Sequence, residues 1–177
     1  NTASIACNST MSPAGVLVYT PASGPLMRRL VWVDRRGAAT PLSLGAGDYS
    51  DPSLSPDGRQ IALVRWDAGS AHIYVCDIER GTLQKRTFEG DSAFPIWTPD
   101  GRSLTFSRGP ENIGPLMRMP ADGSGQAIPL VTDEQRGGVK VATSWSPDGR
   151  SLAFQNNQDV IVRDADGTLR PAVATPA

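Results

Sequence analysis

The stretch that decides the fold is Trp145-Ser146-Pro147-Asp148-Gly149-Arg150-Ser151-Leu152-Ala153-Phe154. Its first half is a chain reversal. Pro147 pre-sets φ for a turn, Asp148 can bond the backbone just beyond it, and Gly149 tolerates positive φ. Its second half alternates apolar and polar residues, the pattern of a half-buried strand. The same order stands at Trp97-Thr98-Pro99-Asp100-Gly101-Arg102-Ser103-Leu104-Thr105-Phe106 and at Leu54-Ser55-Pro56-Asp57-Gly58-Arg59-Gln60-Ile61-Ala62-Leu63. Asp57 and Asp100 are 43 residues apart, Asp100 and Asp148 are 48. A step of 43 back from Asp57 lands on Ala14, within Ser12-Pro13-Ala14-Gly15. That is a decayed first copy, without its Asp and with the shortened strand Val16-Leu17-Val18-Tyr19.

A second register runs through the same copies. Val31-Trp32-Val33-Asp34, Tyr74-Val75-Cys76-Asp77, Arg118-Met119-Pro120 and Ile161-Val162-Arg163-Asp164 align at steps of 43, 43 and 44. Asp34, Asp77 and Asp164 each precede a glycine by three or four residues, which makes a second reversal. Each copy therefore reads as four short strands, a to d, with no helical period. A repeat of this length built from four antiparallel strands is a propeller blade. The expected fold is all-β, a propeller of four blades at about 5–48, 49–91, 92–139 and 140–177. Met11, Leu54, Trp97 and Trp145 share one register and are expected to pack between blades.

Composition excludes several classes. Of 177 residues, 17 are Lys or Arg and 18 are Asp or Glu, so the net charge is −1. A nucleic-acid binder usually carries a basic excess, so no nucleic-acid partner is expected. No apolar run approaches the ~20 residues that span a bilayer, so no membrane insertion is expected. With 18 glycines and 15 prolines the chain favours turns over helices. One histidine and two cysteines cannot fill a four-ligand zinc site, and neither metal nor cofactor is expected. Cys7 and Cys76 read as two separate thiols, with a disulfide between them as the alternative. Asn1–Asn8 has no basic start and no long apolar stretch, so it does not read as a secretory leader.

The Trp-Ser-Pro-Asp-Gly-Arg-x-Leu-Ala-Phe pattern at 145–154, with its copies at 97–106 and 54–63, resembles the Pro-Asp propeller repeat of TolB and its relatives. Residues 15–19, 30–37 and Pro41-Leu42 also resemble propeller regions that follow some bacterial serine/threonine kinase domains. The resemblance implies a propeller that binds proteins or peptides, gates a neighbouring hydrolase, or acts as a sensor. It also favours a periplasmic or extracellular setting over a cytoplasmic one. It is a fold-level analogy and fixes no chemistry. The chain has no glycine-rich kinase loop, no His-Arg-Asp and no Gly-x-Ser-x-Gly elbow.

TolB-like propellers generally have six blades, which would need about 260 residues. Three arrangements remain: half-rings paired by a two-fold into an eight-bladed homodimer, a piece of a longer ring, or a closed four-bladed ring. The dimer is favoured, because it covers two open blade faces in one isologous operation.

In a propeller the d–a and b–c connections share the face around the channel mouth. The Pro-Asp-Gly turns lie opposite, so Asp57, Asp100 and Asp148 read as structural turn residues. The d–a loops are expected at 45–51, 89–93 and 133–141, and the b–c loops at 20–28, 65–71, 107–115 and 155–158. These loops and their edges supply the candidate ligand-binding residues Tyr49, Trp66, His72, Asn112, Asn156 and Asn157. Two functions follow. The first is a non-catalytic propeller that binds a protein or peptide at the mouth. The alternative is a glycoside hydrolase acting on carbohydrate, with paired acids drawn from Asp48, Asp51, Asp67, Glu111 and Asp159.

Overall fold

The computed structural model describes residues 9–11, 17–19, 27–67, 69–110 and 113–173. Sixteen strands form four antiparallel sheets, each wound in chain order from strand a to strand d. Blade 1 is β1 (Ser9–Met11), β2 (Leu17–Tyr19), β3 (Val31–Val33) and β4 (Ala39–Pro41). Blade 2 is β5 (Tyr49–Leu54), β6 (Gln60–Asp67), β7 (Ser70–Asp77) and β8 (Thr82–Lys85). Blade 3 is β9 (Ser92–Trp97), β10 (Ser103–Arg108), β11 (Leu116–Pro120) and β12 (Ile128–Val131). Blade 4 is β13 (Lys140–Trp145), β14 (Leu152–Asn156), β15 (Asp159–Arg163) and β16 (Leu169–Val173). The described residues contain no α-helix.

The core is layered between blades. Leu30 and Leu42 of blade 1 meet Tyr49, Ile61, Leu63 and Tyr74 of blade 2. Ala62, Ile73 and Val75 on the other face of blade 2 meet Trp97, Leu104, Phe106 and Met119 of blade 3. Leu116 and Val131 of blade 3 meet Ala142, Leu152, Phe154 and Ile161 of blade 4. Two tryptophans stitch these layers. Trp97 Nε1–H donates to Ser53 O of the preceding blade (2.9 Å) and Trp145 Nε1–H to Thr105 Oγ1 (3.1 Å). Leu54 packs at the edge of the first layer, and the side chain of Met11 lies outside the described residues.

The Pro-Asp-Gly turns are chemically identical. Asp57 Oδ1 accepts from Ser55 Oγ (2.6 Å) and Arg59 N (3.0 Å). Asp100 Oδ1 accepts from Thr98 Oγ1 (2.6 Å) and Arg102 N (3.0 Å). Asp148 Oδ1 accepts from Ser146 Oγ (2.5 Å) and Arg150 N (3.0 Å). These bonds, the hydroxyl's foremost, hold all three carboxyls below the usual carboxylate range. Gly58, Gly101 and Gly149 sit at φ of 71°, 69° and 70°, where a side chain would strain the turn. Successive turns abut: a Cβ on Gly101 would lie 3.7 Å from Pro56 Cδ, and one on Gly149 3.9 Å from Pro99 Cδ.

The strands reach further toward the mouth than the sequence pattern indicates. Tyr49 and Asp51 lie within β5 rather than in a d–a loop. Trp66 and Asp67 end β6, which leaves only residues 68–69 between β6 and β7, and His72 is the third residue of β7. In strand a the cause is a bulge. Asp51 (φ 48°) and Phe94 (φ 53°) break the ladder directly before Pro52 and Pro95. Pairing resumes beyond the break, at Tyr49↔Arg65 and at Ala93↔Ser107. The break destroys the alternation that marks a strand in sequence. Cys76 is a buried free thiol, pushed up in pKa by its burial. Cys7 lies outside the described residues.

Candidate functional site

The mouth-face connections are laced to one another. Arg28 N–H donates to Gly47 O (2.7 Å), and Gly47 N–H returns to Arg28 O (3.0 Å). The Arg28 guanidinium donates to Tyr49 O (2.9 Å) and lies 3.5 Å from Asp48. Asp91 Oδ1 accepts from Ala71 N (3.0 Å), and its carbonyl accepts from Gly109 N (2.9 Å). One residue on the d–a connection, through its side chain and its carbonyl, thus ties blade 2 to blade 3.

A polar cluster occupies the mouth end of blade 2. Arg65, Asp67, His72, Tyr74 and Lys85 are brought together by the pairing of β6, β7 and β8, with Tyr49 on β5 beside them. Asp67 accepts a short hydrogen bond from Tyr74 Oη and lies 3.1 Å from Arg65 Nε and 3.9 Å from Lys85 Nζ. Burial and this bond to Asp67 push the Tyr74 phenol up to about 12. Burial also raises Tyr49. Burial, aided by the Lys85 charge, lowers His72, whose Nδ1 is buried with no hydrogen-bond partner. Trp66 lies between Arg65 and Asp67 on β6, so its side chain stands on the opposite face of the strand, with 45% of its surface exposed.

Blade 4 carries a second polar assembly. Lys140 is fully buried at the start of β13, and its ammonium donates to Gly114 O (2.9 Å), Gly138 O (3.2 Å) and Asp133 Oδ1 (2.6 Å). Arg136 Nε donates to Asn156 Oδ1 (2.7 Å), and Nη2 lies 3.4 Å from Asp159. Asn156 Nδ2 donates to Gly137 O (3.0 Å) and Val139 O (3.2 Å). Asn157 Oδ1 accepts from Val139 N (3.1 Å). Asn156 and Asn157 therefore spend their amides on holding the 132–139 connection.

The four described carboxylates of those singled out in the sequence do not assemble into an acid pair. Asp48 faces Arg28, Asp67 faces Arg65 and Lys85, and Asp159 lies two blades away facing Arg136. Asp51 is raised by burial, and its Oδ2 accepts from Ser50 Oγ (3.0 Å). Glu111 and Asn112 lie outside the described residues. A glycosidase needs one protonated acid and one free carboxylate flanking a bond. Here three of the four described candidates already face a cation. The hydrolase reading is not favoured by this geometry. Arg65, Tyr74, Lys85 and Arg136 are organising residues that the sequence reading passed over, and Lys140 reads there as a solvated loop residue. The signal for the first three was the strand register, which sets Arg65 opposite His72 and Tyr74 opposite Lys85.

Among the described residues no group of His, Cys, Asp and Glu is arranged to hold a metal ion, and no helix is long and apolar enough to cross a membrane. No family model matches the chain. It is 41% identical over 61 residues to the Tol-Pal system protein TolB of Alcanivorax borkumensis, covering 32% of this chain and 14% of that protein. It is 32% identical over 78 residues to an uncharacterized peptidase, YuxL, of Bacillus subtilis, covering 42% of this chain and 12% of that protein. The TolB-type structure from Agrobacterium tumefaciens superposes on 97% of this chain with a TM-score of 0.77 at 20% identity. The chain spans 66% of that structure's length, and a much smaller part of either sequence relative. The chain thus has the β-propeller fold of the TolB-type structures, and its repeat is similar in sequence to that of TolB.

Proposed function

We propose that the chain is a non-catalytic propeller that binds a protein or peptide on its channel-mouth face. The observation that carries this reading is the state of the mouth carboxylates. Those at 48, 67, 133 and 159 each face a cation, which builds a fixed rim instead of leaving a reactive acid. Trp66 stands exposed near the mouth end of β6, and tryptophan is among the residues that most often anchor a protein interface. The likeness to TolB supports the same class of function and a setting outside the cytoplasm.

Peptides selected by display on the intact chain test the reading. Trp66→Ala is expected to weaken the selected peptides at least about tenfold while costing less than about 1 kcal/mol of stability. Peptides indifferent to Trp66, or aryl-glycoside turnover lost in Asp51→Asn, would overturn it.

A second copy of the chain is the favoured neighbour for blade 4. Ile73 in blade 2 and Leu116 in blade 3 share one register and are fully buried by the following blade. Val160 holds that register in blade 4 and is 38% exposed. Light scattering is expected to report a dimer that Val160→Glu dissociates. A monomeric wild-type chain at high concentration would reject the homodimer.

A further inference from the structure

Arg108 closes β10, on the face of blade 3 that looks toward blade 2. Its guanidinium lies 5.7 Å from the centre of the Phe106 ring, which holds it by a cation–π contact. Its Nε–H is buried and has no acceptor. None of the ion pairs of the described residues involves it. Arg108 is half-buried, and a charged, forked guanidinium whose buried Nε–H lacks an acceptor is open to an anion.

The surroundings give that anion room. Arg108 lines a cleft of about 590 Å³ between the 86–89 connection leaving blade 2 and the 122–127 turn of blade 3, with Met119 against it. The other guanidinium of the cleft is committed. Arg86 Nε donates to Ala121 O (2.6 Å) and its Nη2 to Gln84 Oε1 (2.9 Å). Asp122 is occupied by Ser124 N (2.9 Å). Arg108 is thus the cleft guanidinium whose Nε–H is left over; Lys85, with Asp67 at 3.9 Å, and Glu89 also line the cleft. At the lip, Phe88 is 74% exposed with the Lys85 ammonium 5.9 Å from its ring centre. An aromatic lip beside an unpaired guanidinium suits a ligand that is anionic at one end and apolar at the other.

We propose that this cleft is a binding site for a monocarboxylate bearing an aromatic or branched apolar group. The carboxylate seats on the Arg108 fork and supplies the acceptor that Nε–H lacks, and the apolar group packs on Phe88 and Met119. Such a carboxylate belongs either to a free organic acid or to the C-terminus of a peptide. The site lies between two blades and stands whether or not the mouth face binds a partner.

The test titrates the whole chain with three probes: N-acetylphenylalanine, a hexapeptide ending in free phenylalanine, and the same hexapeptide as its amide. Chemical-shift changes or heat are the readouts. Both acids are expected to saturate and the amide is not. The tighter of the two acids identifies the natural source. Arg108→Gln should weaken binding at least about tenfold, the scale of a lost charge-assisted hydrogen bond. Arg108→Lys should recover only part of it, since an ammonium cannot form the fork. Phe88→Ala should weaken binding about threefold or more, and Arg170→Gln on blade 4 should change nothing. The proposal fails if the amide binds as well as the acids, if inorganic phosphate displaces them equally, or if Arg108→Gln binds like wild type. Should Arg108→Gln not fold, the exposed Phe88 decides: unchanged affinity in Phe88→Ala overturns the site.

Discussion

Trp97→Ala is expected to lower stability by about 3–5 kcal/mol, the cost of emptying a well-packed aromatic site. The indole is almost wholly buried, wedged between blades 2 and 3 among Ala62, Val75, Leu104 and Met119. It also carries the hydrogen bond to Ser53 O that ties strand a of one blade to strand a of the next. Urea melts separate the two contributions. Trp97→Phe keeps most of the packing but strands the Ser53 carbonyl, a loss of about 1–3 kcal/mol. Trp66→Ala, by contrast, should cost less than about 1 kcal/mol, because that ring is half exposed and wedges nothing. A melt in which the two alanine variants match would show that the register tryptophan is not the wedge between blades.

Lys140→Met is the second large effect. The methionine refills the stem's volume but provides no donor. The Gly114 and Gly138 carbonyls then lose their partner inside the 109–139 loop assembly, and Asp133 loses its cation. Asp133 is half exposed and can rehydrate, so the carbonyls dominate. The expected loss is about 2–4 kcal/mol. Its effect should be local. Hydrogen exchange at the Val139 and Asn157 amides, which lace this loop to β14, should speed up while the centre of blade 2 stays protected. Adding Asp133→Ala to Lys140→Met should restore little, since the carbonyls stay unpaired. Full recovery in the double variant would assign the loss to the bare carboxylate instead.

The fold was legible because its signal is local and repeated. Ser/Thr-Pro-Asp-Gly needs only its own residues to turn, and three copies in register announce the blades. The start of strand a was not legible, because Asp51 and Phe94 sit at positive φ and interrupt the alternation that marks a strand. Ligand-candidate residues were harder. Asn156 and Asn157 look available in sequence, yet their partners are Arg136, Gly137 and Val139, some twenty residues away. Lys140 reads as an ordinary surface lysine until blade 3 brings Gly114 to it. Arg108 was invisible for the opposite reason. A strand-ending arginine is unremarkable until the structure leaves it without a counter-charge.

The abutting Pro-Asp-Gly turns and the blade-to-blade layers make each sheet depend on its immediate neighbours. Strands a pack in the succession β1, β5, β9 and β13. Such an array is a short one-dimensional lattice, whose free energy is a sum of site terms and nearest-neighbour couplings. Blades 2 and 3 are coupled through the layer containing Trp97 and Phe106. Blade 4 has one such coupling in this chain, through Phe154 and Ile161. In such an array a sheet with a single coupled neighbour opens before one held on both faces, and a partner docked on an outer sheet would act as a boundary condition, raising the cooperativity of the whole array without touching its middle.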